Sequence, residues 1–193
     1  LVKCNNGEII CGGMYWGTVT IGDSTITTSE TGSYLAQYSP TGIFLKLIQT
    51  CSGSNNQVGM KGITSDNMGN LFLGGNFQGT LTFSDTSLNS TGYHDIFIAK
   101  FDDQGNFIWA RSEGDIYSDI GLDVAVDSQG NSAITGYFSG LITVGDTVLT
   151  ALGNEDIFII KYDPDGNVLW ARNAGGNLNM ALDEANGITA DSL

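Results

Sequence analysis

Carboxylates are the reactive groups this chain has in quantity, 21 acidic against 7 basic side chains. Asp115, Asp119 and Asp123 follow one another at a spacing of four, and Asp183 and Glu184 fall in the corresponding later connection. Hard cations such as Ca²⁺ take six to eight oxygens from carboxylates and carbonyls. These five residues are therefore a candidate calcium site, to which Asp95, Glu155 and Asp156 add if their connections share a face. The alternative is a solvated acidic rim that keeps the protein soluble. Trp16, beside the aromatic Tyr15, is the candidate for stacking on a ligand.

Other chemistries find no support in the residues. His94 is the only histidine, and Cys4, Cys11 and Cys51 have no metal-ligand spacing. A His-based metal centre and a Cys-His pair are therefore set aside, and no Gly-x-Ser-x-Gly elbow positions a serine. Asp163-Pro164-Asp165-Gly166-Asn167 looks like the start of a calcium loop, but it lacks the distal Glu, and its residue types are those of a hairpin turn. A glycoside hydrolase or lyase needs two carboxylates on either side of a scissile bond, and nothing singles out two among so many. The net charge of −14 and pI of about 4.1 argue against nucleic acid as a partner.

The elements that must position these groups come from a repeat. Residues 69–111 and 130–172 overlay without a gap at a constant offset of 61. Phe77 matches Phe138, Asp95 matches Asp156, Lys100 matches Lys161, and Trp109 matches Trp170. A third, diverged copy precedes them, with 12–17 matching 74–79 and 36–42 matching 99–105. Each unit reads as four strands, A to D, separated by turn signals. Between B and C lies a further alternation, Leu141-Ile142-Thr143-Val144, Gly145-Asp146, then Thr147-Val148-Leu149-Thr150, which predicts an added hairpin. In Ile157-Phe158-Ile159-Ile160-Lys161-Tyr162 both faces of strand C are apolar, as stacked blades require and a two-sheet sandwich does not.

The predicted fold is all-β: a β-propeller fragment of about three four-stranded blades, each with an additional B-to-C hairpin. The units run approximately 1–59, 60–120 and 121–182, with 183–193 starting a further blade. Closed propellers have 4 to 8 blades, so the segment reads as an arc of a longer array. A β-trefoil is the structural rival. Net charge is −1 over 1–66, −7 over 67–127 and −6 over 128–193, so the last two blades carry the acidity. No stretch approaches the roughly 18 apolar residues of a membrane span. The sequence begins at Leu1, so any leader is expected to be removed already or to lie outside it.

The aromatic-Ser-Gly step of Phe138-Ser139-Gly140, the Gly-x-x-Asp-Ile-Phe lead-in to strand C, the Lys-Tyr-Asp turn and Leu169-Trp170-Ala171 together resemble the bacterial SBBP-type β-propeller repeat family. The first copy departs from that pattern, with Tyr34-Leu35 where Asp-Ile-Phe is expected and Lys46 at the Trp position. The resemblance implies a secreted or cell-surface protein of tandem blades, and it implies no catalytic residue set. The expected function is a non-enzymatic binding or scaffold module that presents its D-to-A and B-to-C loops to an extracellular protein or glycan. Its open end blades are expected to take up flanking blades of a longer chain or to self-associate. The alternative is part of a propeller enzyme whose site lies partly in other blades.

Overall fold

One five-residue turn sets the strand boundaries. Asp-x-x-Gly-Asn occurs at 66–70, 102–106, 127–131 and 163–167. At each, the Asp carboxylate accepts the N–H groups two and four residues on and the Asn side-chain amide. Its glycine takes a φ of 79 to 87°, where a side chain is disfavoured. These turns close the A-to-B and C-to-D connections of the second and third units.

A computed structural model describes residues 2–3, 7–53, 58–177 and 183–191. Among them there is no helix, and sixteen strands form antiparallel sheets. The first unit holds β1 (Val2–Lys3), β2 (Ile9–Ile21), β3 (Ser24–Tyr38) and β4 (Phe44–Gly53). The second holds β5 (Val58–Ser65), β6 (Leu71–Phe77), the hairpin β7 (Thr80–Phe83) and β8 (Thr86–Asn89), then β9 (Asp95–Phe101) and β10 (Phe107–Glu113). The third holds β11 (Ile120–Val126), β12 (Ser132–Phe138), the hairpin β13 (Leu141–Val144) and β14 (Thr147–Thr150), then β15 (Asp156–Tyr162) and β16 (Val168–Ala174). The second and third units are four-stranded meanders in the order A-B-C-D, each with its extra hairpin. The molecule is an all-β propeller fragment.

The first unit differs from the expected plan. Its strand B and hairpin run together as β2, its hairpin and strand C run together as β3, and the two pair along their whole length. In the later units an aspartate breaks the chain at this point: Asp95 accepts from the Thr91 N–H at 3.0 Å, and Asp156 from the Leu152 and Gly153 N–H groups. The first unit has Gly32 there, paired with Tyr15 as Asp95 is with Phe77, and with no carboxylate to hold the loop the strands continue straight through. The two residues of β1 pair with β2 on the strand-A side of this unit. Cys11 and Cys51 are free thiols, and Cys4 lies outside the described residues.

Two apolar cores lie between the blades rather than within them. On β9, Phe97, Ala99 and Phe101 pack with Leu35 and Cys51 of the first blade. Ile96 and Ile98 of the same strand pack with Val124, Ile134 and Phe158 of the third. The innermost strands approach closely, since a Cβ on Gly62 would stand 2.7 Å from the Val124 nitrogen. Each hairpin wedges into the gap toward the preceding blade. Leu81 and Phe83 join the first core, Ile142 and Val144 the second, and β7 pairs with the end of β4.

Polar bonds lock the same junctions. Lys100 Nζ and Trp109 Nε1 both donate to the Pro164 carbonyl at 3.0 Å, and Arg111 Nε donates to the Gly166 carbonyl at 2.8 Å. The Arg111 guanidinium lies over the Trp109 ring at 5.5 Å. Lys46, in the tryptophan position of the first blade, donates to the Gln104 carbonyl in the corresponding turn of the second. A strand of one blade thus grips the C-to-D turn of the next.

Candidate functional site

The B-to-C and D-to-A connections emerge together on one face, as expected. His94 and Ser118 form a bridge between a B-to-C and a D-to-A loop, and the Asp119 N–H donates to the His94 carbonyl at 2.8 Å. His94 is therefore half-buried and structural, and burial lowers its pKa.

Four of the five candidate ligands bind backbone. Asp119 is fully buried, and its carboxylate accepts the Asp115 N–H at 2.8 Å and the Ser139 N–H at 3.2 Å. Burial, with Asp115 and Asp95 nearby, pushes its pKa up to about 7. Asp115 accepts the N–H groups of Tyr117 and Leu141 at 2.6 and 3.0 Å. Asp123 accepts those of Val124 and Ile188 at 2.9 and 3.0 Å. Asp183 accepts the Gly176 N–H at 2.9 Å and donates its own N–H to the Glu155 carbonyl, repeating the pattern of Asp119 one blade later. Glu184 lies near Glu155, whose pKa is raised by partial burial and then by that charge. Among the described residues no group of three or more Asp, Glu, His or Cys side chains is placed to hold a metal ion. The carboxylates act as staples between loops.

Between these staples the loops expose large side chains. Tyr93 is 66% exposed, Ile116 62%, Tyr117 51% and Leu152 64%. Tyr93 and Tyr117 are held side by side, the Tyr93 N–H donating to the Tyr117 carbonyl at 3.2 Å. The B-to-C and D-to-A loops thus present exposed aromatic and apolar side chains, and the acids Asp115, Glu155 and Glu184 lie in the same loops. Sequence reasoning looked only at the acids here; the available signal was four large apolar residues in loops whose neighbours are polar. Trp16 stands elsewhere, 71% exposed on the long β2–β3 hairpin near the half-exposed Met14.

Comparison with known proteins fits this architecture. No family model matches the chain. Over 118 residues, 55% of this chain, it is 36% identical to a WD repeat-containing protein of Acanthamoeba polyphaga mimivirus. The likeness supports a repeat β-propeller family. The match covers 8% of that protein's length, and it does not single out the bacterial repeat family.

Proposed function

We propose that this segment is a non-enzymatic propeller module that binds a protein through its B-to-C and D-to-A loop face. The observation that carries the reading is the platform of Tyr93, Ile116, Tyr117 and Leu152, exposed and yet fixed by backbone bonds. Tyrosines offer large contact area at small entropic cost and dominate protein interfaces. The acids in the same loops favour a partner with Lys or Arg beside an apolar residue. Placement at the cell surface or outside the cell, and kinship to the bacterial repeat, belong to the same proposal and rest on the resemblance of the repeat motifs.

The test is an array of Lys/Arg-rich peptides and of glycans probed with the chain and with a Tyr93→Ser/Tyr117→Ser variant. Binding to basic peptides that falls about tenfold or more in the variant supports the platform. Binding that the variant leaves unchanged overturns it, and binding to glycans alone replaces the protein partner by a sugar. Trp16→Ala is the control for the hairpin: a loss confined to that variant moves the site there. Because the acids already hold backbone N–H groups, the melting temperature is expected to be the same in millimolar Ca²⁺ and in chelator. A rise with Ca²⁺ would restore the cation site.

A further inference from the structure

The two junctions between blades share a frame and differ in what fills it. In the second blade one side chain from each of strands B, C and D forms a row toward the third blade: Phe72, Lys100 and Trp109, paired across the strands. The row is packed out. Phe72 is fully buried, Lys100 and Trp109 are 6% and 7% exposed, and the two rings meet edge to face at 6.3 Å. Lys100 and Trp109 both end on the Pro164 carbonyl.

The first blade presents the same row in smaller side chains, Ile10, Gln37 and Lys46, paired in the same way. An isoleucine stands for the phenylalanine, and an ammonium on a thin stem for the indole. The turns they face, 66–70 and 102–106, keep the shape of their counterparts, with Gly69 and Gly105 at φ 87° and 81° beside 81° and 79° for Gly130 and Gly166. Protein interiors are close-packed, so the same frame with less side-chain volume leaves space. A cavity of about 480 Å³ lies between the row and these two turns, a size suited to a small ligand. The Asp103 carbonyl, in the place of the Pro164 carbonyl, meets no donor among the described residues, and Lys46 reaches the Gln104 carbonyl instead. Met68 is exposed on the cavity wall, and Glu8 and Asp103 bring two carboxylates against the one ammonium of Lys46.

We propose that this cavity binds a small aromatic amine of the indole class, a flat ring with an N–H donor and a side-chain ammonium. The ring takes the space that Phe72 and Trp109 fill one blade later, against Ile10 and Met68. Its N–H donates to the Asp103 carbonyl, as Trp109 Nε1 donates to that of Pro164. The ammonium is drawn by Glu8 and Asp103, and their excess over Lys46 disfavours an anionic ligand of the same shape. The site lies among the A-to-B and C-to-D turns, at the other end of the strands from the Tyr93 and Tyr117 loops, and is independent of the protein partner assigned to them.

Amide NMR spectra of the isotopically labelled chain, titrated with tryptamine, with indole and with indole-3-acetate, test this. Tryptamine should shift the amides of 66–70 and 102–106 saturably, and should bind about tenfold or more tightly than indole-3-acetate. Ile10→Phe/Gln37→Lys/Lys46→Trp rebuilds the row of the second blade, and should remove those shifts while the spectrum stays dispersed. Glu8→Gln should weaken tryptamine about threefold or more and leave indole unchanged, a readout that does not depend on the filled variant. The absence of saturable shifts at these turns with about 10 mM of every probe overturns the proposal. So does tryptamine binding that the filled variant or Glu8→Gln leaves undiminished. Shifts centred instead on Trp16, or on Tyr93 and Tyr117, also overturn it, and equal affinity for tryptamine and indole-3-acetate overturns the role of the carboxylates.

Discussion

β9 and β15 carry nearly the same residues, Asp-Ile-Phe-Ile-Ala-Lys-Phe and Asp-Ile-Phe-Ile-Ile-Lys-Tyr, and end in different surroundings. Every residue of β9 is buried, whereas burial alternates along β15, with Ile157, Ile159 and Lys161 left half-exposed. The strands do not differ in propensity or pairing, since each sits between a B and a D strand of its own meander. What differs is that a blade packs on both faces of β9 and on one face of β15. Burial here is a property of position in the array, so identical substitutions should have unequal effects in the two blades.

The largest inequality is expected at one apolar pair. Ile98 is 1% exposed and packs in the second core, while Ile159 is its match at the offset of 61. Ile98→Ala should cost about 2–5 kcal/mol, the usual range for a buried large-to-small change. Ile159→Ala should cost less, about 1–2 kcal/mol, since part of its surface already meets water. Urea unfolding of the two variants at a concentration where the chain is monomeric measures the difference, and equal shifts in midpoint would refute the positional account.

Titration should separate the second junction from the first. Glu113 receives the Tyr162 hydroxyl at 3.4 Å across the second junction, and its match in the first blade is Thr50. Burial pushes Glu113 up to about 7, as it does Asp119. Unfolded carboxyls titrate near 4, so the folded chain holds more protons between about pH 4 and pH 7. The stability these groups contribute is full below pH 4 and is lost as pH rises through 7. The melting temperature should therefore fall by several degrees, about what 1–2 kcal/mol gives, between pH 5 and pH 8. Glu113→Gln keeps a side chain of similar size and should flatten that slope; an unchanged slope would exclude Glu113 as its source. Asp127, held down at about 2 by the Lys161 ammonium and the Asn131 amide despite some burial, acts only at lower pH.

Much of the second and third blades was legible because one turn and one alternation repeat in them. The glycine-bearing turns mark the strand ends, and two apolar faces on strand C announce neighbours on both sides. The first blade was harder. Its fused β2 and β3 follow from a missing aspartate: Gly32 stands in that place, and whether a strand runs on through a glycine is set by its pairing partners, here Tyr15 and Ser52, 17 and 20 residues away. The acidic connections were located correctly by sequence, but which backbone N–H each carboxylate meets is set by loops that touch only in three dimensions. Lys100 and Trp109 were visible as residues that recur at the offset of 61. Their partners are carbonyls in the next blade, and carbonyls carry no sequence signal.

That clamp gives the next comparison. Trp109 donates to the Pro164 carbonyl at 3.0 Å, whereas Trp170 has no turn across from it among the described residues. Trp109→Phe keeps an aromatic ring but removes this bond and part of the packed surface, and about 1–2 kcal/mol should be lost. Trp170→Phe in the monomer should change stability by less than about 0.5 kcal/mol. Equal losses in the two variants would mean that the indole stabilises its own sheet and not the junction.

The smallest effect expected lies in the turns, where the first blade again departs from the others. A hydroxyl at Ser39 does what a carboxylate does in the four Asp-x-x-Gly-Asn turns, accepting two backbone N–H groups at 3.3 and 3.0 Å. The corresponding bonds to Asp66 are both 2.9 Å, and a charged acceptor makes the stronger bond. The backbone already has the required shape, with Gly42 at a φ of 82° beside 81° for Gly105. Ser39→Asp should therefore stabilise the chain by about 0.5 kcal/mol without altering the fold, while Ser39→Ala should cost a similar amount. The gain is limited because Ile43 stands where the other turns have asparagine, so the second carboxylate oxygen finds no side-chain amide. Adding Ile43→Asn should supply it, and the double variant should exceed the sum of the two single ones, because each new group is the other's partner. Strict additivity in urea unfolding would show that the Asp–Asn bond contributes nothing at this turn.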